Sequence, residues 1–229
     1  MTNKEYFIKN GYLIIHNFLN NDELTKLRKL SDNISIAMGE TWNNEYIPNL
    51  EKNKYMHYWS DTVRENNFVK NVILKKIKPF ADDFFGKEKY VQQGADFKIT
   101  NPGSTYIYPH FDTPYRHDKW ANKFDNNILG MQFGIALDEF NTTSGATKFL
   151  PNSHKKIYYK KDMDAGKHTQ ELIDKGISFE TNPGGLLLYH SRIMHSTMPN
   201  KSNKPRRLLL CLHLSKNIID EVIEVESAL

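Results

Sequence analysis

Cys211 is the chain's one cysteine, so no disulfide can form within it. Its place in the apolar run LLLCLHL predicts a buried, inert thiol. No apolar run approaches the roughly 20 residues that span a bilayer, and the opening MTNKEYFIKN lacks an apolar signal core. These absences argue against secretion and against a membrane partner, and predict a cytoplasmic protein. An excess of one charge is also missing: 31 Lys+Arg against 27 Asp+Glu leave +4 over 229 residues. The densest basic groups are pairs such as Lys155-Lys156 and Lys160-Lys161, with no basic stripe, so no nucleic-acid partner is expected. Repeats, low-complexity tracts and Pro/Gly/Ser linkers are absent as well, which predicts a single domain over residues 1–229. What is present suffices for a core: 39% of residues are hydrophobic and 12% aromatic.

The run GYLIIHNFL reads as a strand, and Asn20-Asn21-Asp22 as the cap of a helix carrying Leu24, Leu27, Leu30 and Ile34 on one face and ending near Gly39. Between Gly39 and Thr62 the rings Trp42, Tyr46, Tyr55, Tyr58 and Trp59 recur without a period, which predicts a long loop. A second helix is expected from Arg64 to Phe85, kinked or divided at Pro79. After Gly86 the texture changes. The segments YVQQGADFKI, TYIYPHFD, ILGMQFGIAL, GATKFL, GISFE, GGLLLYH and RRLLLCLHL are strand-length and bounded by Gly, Pro or Asn, with a short helix near His168 to Lys175. Helices followed by strands indicate a mainly β fold, an antiparallel sandwich or barrel with flanking helices.

Three segments carry residues suited to chemistry. In YPHFDTPY, alternation along a strand puts His110 and Asp112 on one face, where an imidazole and a carboxylate can bind one metal ion. Alone this spacing is common and equally fits a surface pair. His195, just after the strand GGLLLYH, can be brought alongside by a barrel, completing a two-histidine, one-carboxylate triad that leaves coordination positions open. Eleven residues further on, Arg206 opens RRLLLCLHL, where its guanidinium could grip a carboxylate through two parallel hydrogen bonds. Arg207 would then face outward, although a one-residue slip in register would exchange the two.

His110-x-Asp112, the stretch SGATKFLPNSHK, the His195 to Arg206 segment and the opening GYLIIHNFLNNDELTKLR together resemble the phytanoyl-CoA dioxygenase family of iron(II)- and 2-oxoglutarate-dependent oxygenases. The resemblance runs from about Gly11 to Leu214. It implies a double-stranded β-helix, the cupin-like jelly roll, with Fe(II) held by His110, Asp112 and His195, and with 2-oxoglutarate and O2 as co-substrates. Arg206 would bind the distal carboxylate of 2-oxoglutarate, and Thr197 matches a family position where a hydroxyl shares it. Gln132, on an inward face with Gly134 and Ala136, would bind co-substrate or substrate; a buried, hydrogen-bonded glutamine fits equally. Asn152 stands where the family commonly has glycine, and asparagine too tolerates a left-handed turn. His154 is expected to be structural.

The implied reaction is hydroxylation of an unactivated carbon of a small-molecule substrate, releasing succinate and CO2. Because Asp112 is present, halogenation is disfavoured. Tyr115, Arg116, His117, Lys119 and Trp120, with Trp42, Tyr55 and Trp59, are the expected pocket suppliers, suited to a small polar or anionic metabolite. Arg192, between His190 and His195, is another candidate anion partner near the iron, with a surface position the stronger expectation. Two other readings compete: a catalytically silent metal-binding jelly roll used for sensing or scaffolding, and an oxygenase acting on a nucleic acid or protein side chain. An intact Arg206 argues against the scaffold, which needs no carboxylate clamp.

Overall fold

Asn20 starts the first long helix as its sequence suggests. Its side chain accepts from Glu23 N at 2.9 Å while the Glu23 carboxylate accepts from Asn20 N at 3.0 Å, a reciprocal cap on α2 (Asn21–Met38). The computed structural model describes residues 1–38, 55–59, 61–121, 128–159, 161–162 and 166–227. Trp42, Tyr46 and the expected helix end at Gly39 lie outside the described residues. A short helix α1 (Asn3–Asn10) precedes strand β1 (Tyr12–Ile15). Downstream of the short helix α3 (Asp61–Arg64), a π-helical turn at Val69–Ile73 leads into α4 (Leu74–Phe85).

Helix α4 runs through Pro79 undivided; the interruption falls earlier, between Arg64 and the π turn. Pro79 sits on the exposed side, where water can satisfy the carbonyl that its missing N–H leaves behind. The expected ring-rich loop also needs correction, because Tyr55–Trp59 form strand β2, paired with the chain's longest strand. An edge strand gains its backbone partners on one side only, and YMHYW has no alternation to announce it.

The remaining strands are β3 (Tyr90–Thr100), β4 (Gly130–Ala136), β5 (Lys148–Phe149), β6 (Ile177–Ser178), β7 (Leu186–His190), β8 (His195–Ser196) and β9 (Arg206–Ser215). They form two antiparallel sheets, one ordered β1-β7-β4-β9-β3-β2 and the other β6-β5-β8. This is a double-stranded β-helix with helices outside it, as the resemblance implied. The short helices α5 (Asp118–Ala121), α6 (Thr169–Lys175) and α7 (Ile219–Ser227) complete the described elements. None of the described helices is long and apolar enough to cross a membrane.

The central strands are covered on both faces, so they read as near-continuous apolar runs. One face of the large sheet, with Ala95, Phe97, Ile99, Met131, Phe133, Ile135, Leu209 and Cys211, buries against Phe7, Leu24, Leu27, Ile34, Ile73 and Ile77 of the helical layer. The other face turns inward toward the small sheet, with Tyr12, Leu187, Tyr189, Leu208 and Leu210 against Phe140, Phe149 and Phe179. Cys211 lies on the helix side, and burial pushes its thiol pKa up, which keeps it protonated and inert.

Candidate metal centre

Pro109 has no N–H to donate, and the segment carrying His110 does not form the regular strand expected of it. It is extended but irregular. His110 and His195 exchange both backbone hydrogen bonds, at 3.0 and 3.2 Å, as an isolated bridge onto the end of β8. On either side the pairing slips, with Ile107 N donating to Thr197 O at 3.1 Å and Asp112 N to Ser191 O at 2.8 Å. The pairing still puts both histidines and Asp112 in one place. Asp112 Oδ2 lies 3.5 Å from His195 Nε2 and Oδ1 lies 3.9 Å from His110 Nε2. The three ligating atoms fall within 4.8 Å of one another, and the two imidazole centres are 4.4 Å apart.

Protonation suits a cation. His110 Nδ1 contacts Tyr108 O and His195 Nδ1 contacts Ile193 O, each at 2.9 Å, and a carbonyl can only accept, so both rings carry the proton on Nδ1 and present a bare Nε2. Burial pushes the His110 pKa down to about 4, with the neighbouring His195 adding to the effect against Asp112. Burial also lowers that of His195, against the opposing pull of Asp112. Burial by itself would raise the Asp112 carboxyl; His195, His110, Lys98 and a hydrogen bond from Tyr189 outweigh it and hold the group below its usual range. Asp112 Oδ2 is buried and accepts no hydrogen bond. Two neutral imidazoles and an ionised carboxylate with one bare buried oxygen are a fitting donor set for a divalent metal ion.

The register decides between the two arginines. Arg206 pairs with Thr100 and faces the interior at 1% exposure, donating to Thr100 Oγ1 at 2.5 Å with its guanidinium 4.5 Å from the centre of the Phe140 ring. Arg207 faces outward and grips both oxygens of Asp138 at 2.8 Å, with Asp32 at 2.6 Å. Gln132 is inward and buried, opposite Tyr189 on one side and Leu212 on the other, and its Oε1 has no hydrogen-bond partner. Thr197 is half-buried next to β8. Asn152 adopts the left-handed conformation, φ 64°, and the turn it makes lets His154 Nε2 donate to Ile8 O at 3.2 Å. His154 thus helps close the end of α1 and is not among the three clustered ligands.

The expected pocket loop is tied down more than its composition suggests. Tyr115 and Trp120 belong to a buried cluster with Leu150, Leu214 and Val222, and Lys119 pairs with Glu221 at 2.6 Å. Arg192 is 2% exposed, over the Tyr115 ring and donating to Lys156 O, so its expected surface position is wrong. The strand end YHSRIMH turns inward, and the planar cation finds a ring and a carbonyl there. Lys98 and Tyr189 escaped sequence reading. Lys98 is a lone lysine in a mixed strand, yet it alternates with core residues on β3 and acts electrostatically on all three clustered groups. Asn200, 1% exposed, closes the turn before Arg206 by donating to Thr100 O and Lys204 O. A buried tyrosine among leucines was the available signal for Tyr189, since its hydroxyl needs a partner.

The chain is thus a jelly roll that brings two imidazoles and one carboxylate together at its small sheet, a donor set that could hold a metal ion. Residues 7–208 match the family described as Phytanoyl-CoA dioxygenase (PhyH), and the chain belongs to that family of dioxygenases. It is 26% identical over 224 residues to a Stutzerimonas stutzeri protein named "Probable alpha-ketoglutarate-dependent hypophosphite dioxygenase", covering 90% of this chain and 75% of that one. Identity to a phytanoyl-CoA dioxygenase of Arabidopsis thaliana is 20% over 240 residues, covering 88% and 84%. The same fold occurs in the non-heme alpha ketoglutarate dependent carbocyclase SnoK, with a TM-score of 0.73 and 16% identity over 93% of this chain and 83% of that one. The epimerase SnoN, solved with Fe3+, alpha ketoglutarate and nogalamycin RO, has a TM-score of 0.73 and 15% identity, covering 93% and 82%.

Proposed function

We propose that this chain is a single-domain, cytoplasmic Fe(II)- and 2-oxoglutarate-dependent dioxygenase that hydroxylates an unactivated carbon of a small polar or anionic metabolite. The observation that carries this reading is the convergence of His110 Nε2, His195 Nε2 and the bare Asp112 Oδ2 within 4.8 Å. These three residues would hold the metal. Arg206 would grip the distal carboxylate of 2-oxoglutarate with Thr197 beside it, and Gln132 would supply an amide to co-substrate or substrate. When bound, iron(II) and 2-oxoglutarate supply oxygen activation, with succinate and CO2 as by-products.

The chain's own contribution is orientation and exclusion. The two backbone-anchored histidines are fixed in tautomer, so no proton has to leave them when a cation arrives. Phe140, Phe149 and Phe179 keep the interior dry, which strengthens the hold of Arg206 on an anion. The test is an anaerobic titration of the purified chain with iron(II) and 2-oxoglutarate, read by the visible charge-transfer band of the chelate. A band in the wild type that is lost in His195→Ala and Arg206→Ala supports the reading; no band in the wild type overturns it.

A further inference from the structure

Strand β4 reads GMQFGIA, and Gln132 is its one polar side chain. It is 5% exposed, and among the described residues nothing donates a hydrogen bond to its Oε1. A buried amide left this way costs stability that an apolar residue would not. Its surroundings explain why the oxygen stays bare. Across the sheet Gln132 faces Leu212 on β9 and Tyr189 on β7, and its neighbours along the same face of β4 are Gly130 and Gly134. Of these only Tyr189 has a side-chain donor, and it does not reach the amide oxygen.

Gln132 also stands beside the metal centre. The Tyr189 ring is 4.8 Å from the His195 imidazole, and directly opposite residues of an antiparallel pair have Cβ atoms about 5 Å apart. Two residues earlier on β4, Gly130 O accepts from Ser191 N at 3.0 Å, and Ser191 O accepts from Asp112 N at 2.8 Å. The backbone therefore holds this amide close to the segments of both His195 and Asp112.

We propose that Gln132 is a specificity-determining residue whose Oε1 accepts a hydrogen bond from a hydroxyl or N–H of the substrate. The inference rests on the oxygenase reading above and narrows its small polar or anionic metabolite to one that carries such a donor near the reacting carbon. 2-Oxoglutarate cannot fill this role, because its carboxylates and keto oxygen only accept. It could meet Nε2 and would still leave the oxygen bare. Turning the amide end for end changes where the oxygen points and not what it needs. A site that holds a donor in this way also rejects the analogue lacking it, which would strand the buried oxygen again.

The experiment uses the full chain as wild type and as Gln132→Met, which keeps the side-chain length and removes both polar atoms. Without metal, the urea midpoint of Gln132→Met is expected to equal or exceed that of wild type, because no protein hydrogen bond to Oε1 is lost; a lower midpoint marks a glutamine that braces the sheet and overturns the proposal. With iron(II), free of oxygen, both proteins should form the 2-oxoglutarate chelate with the same affinity. A loss of about 10-fold in Gln132→Met, the worth of one hydrogen bond, assigns the amide to the co-substrate and overturns the proposal. The iron(II) and 2-oxoglutarate complex is then offered compound pairs that differ by one donor, glycolate and acetate, serine and alanine, and β-alanine and propionate, read by the broadening of their proton signals by the paramagnetic iron. Wild type is expected to prefer a donor-bearing member by about 10-fold or more, and Gln132→Met to lose that preference. No such preference in wild type, or its survival in Gln132→Met, overturns the proposal, and the wild-type comparison stands even if Gln132→Met does not fold. A wild type that forms no chelate is a different result: the oxygenase reading itself falls, and this proposal with it.

Discussion

The two faces of the large sheet are built from the same strands and do opposite work. On β4, Met131, Phe133 and Ile135 face the helices and are wholly buried among apolar side chains, while Gly130, Gln132, Gly134 and Ala136 face inward. On β3, Ala95, Phe97 and Ile99 pack on the helices, whereas Asp96, Lys98 and Thr100 turn toward the barrel interior. On β9, Arg206 looks inward and Arg207 outward into an ion pair. A period of two separates the helix-packed face from the inward one, and glycine stands on the inward face where protein neighbours approach closely. A Cβ added at Gly134 would meet Leu208 Cδ1 at 3.3 Å, so that space is already narrow.

If the division is real, changes to the two faces should separate binding from stability. The largest effect is expected from His195→Ala, which removes a ligand while leaving the helix-side core intact: turnover falls to background and metal affinity falls by more than the roughly 100-fold typical of supporting residues. Equilibrium dialysis against iron(II), with thermal unfolding of the metal-free protein as a control, checks both halves. Phe133→Ala should do the reverse, costing about 3–5 kcal/mol of stability in urea unfolding while the folded fraction keeps its affinity for iron(II) and 2-oxoglutarate.

The adjacent arginines sharpen the comparison within two residues. Arg206→Ala is expected to weaken 2-oxoglutarate about 100-fold, the loss of charge-assisted hydrogen bonds in a dry site. Arg207→Ala should leave that affinity unchanged and cost about 1 kcal/mol of stability, because it removes the paired side-chain bonds to Asp138 while Arg28, 3.7 Å away, and the backbone N–H of residue 207 remain. Calorimetric titration of both variants with 2-oxoglutarate separates them, and an unchanged Arg206→Ala would break the inward/outward distinction.

A pH series tests the helix side and its edges. Burial, more than any neighbouring group, lowers the pKa of His154 to about 4, of His190 to about 3 and of His213 to about 4. These rings are neutral in the fold but protonate near 6.5 once unfolded. The unfolded chain therefore binds more protons between pH 6.5 and about 4, and the stability these rings contribute is complete above 6.5 and lost as the pH falls through that window. Urea midpoints of the metal-free protein should drop from pH 7 to pH 5, and less steeply in a His213→Phe variant that folds. The smallest effect is on Cys211, which a thiol reagent should reach only after denaturation.

Much of this was legible in residue order. The strand segments after Gly86 became strands except the one around Pro109, and the leucine face of α2 packs as its spacing requires. His110, Asp112 and His195 could be picked out because a family pattern joins residues that alternation alone could not relate. Other features were invisible because they depend on partners distant in the chain. Strand β2 forms because β3 offers it an edge, Arg192 is buried because Tyr115 and the Lys156 carbonyl come to it, and Lys119 is taken by Glu221. Tyr189 and Lys98 read as ordinary strand residues until the sheet showed which way they point.

By itself, then, the sequence determined the two-fold alternation along each strand, the impossibility of an internal disulfide in a chain with one cysteine, and the ligand types on offer, since all three follow from local chemistry. Only the tertiary structure decided which arginine faces inward, which oxygen of Asp112 stays bare and which histidines meet. Those outcomes depend on register between strands far apart in the chain, and register is set by the packing of both faces at once.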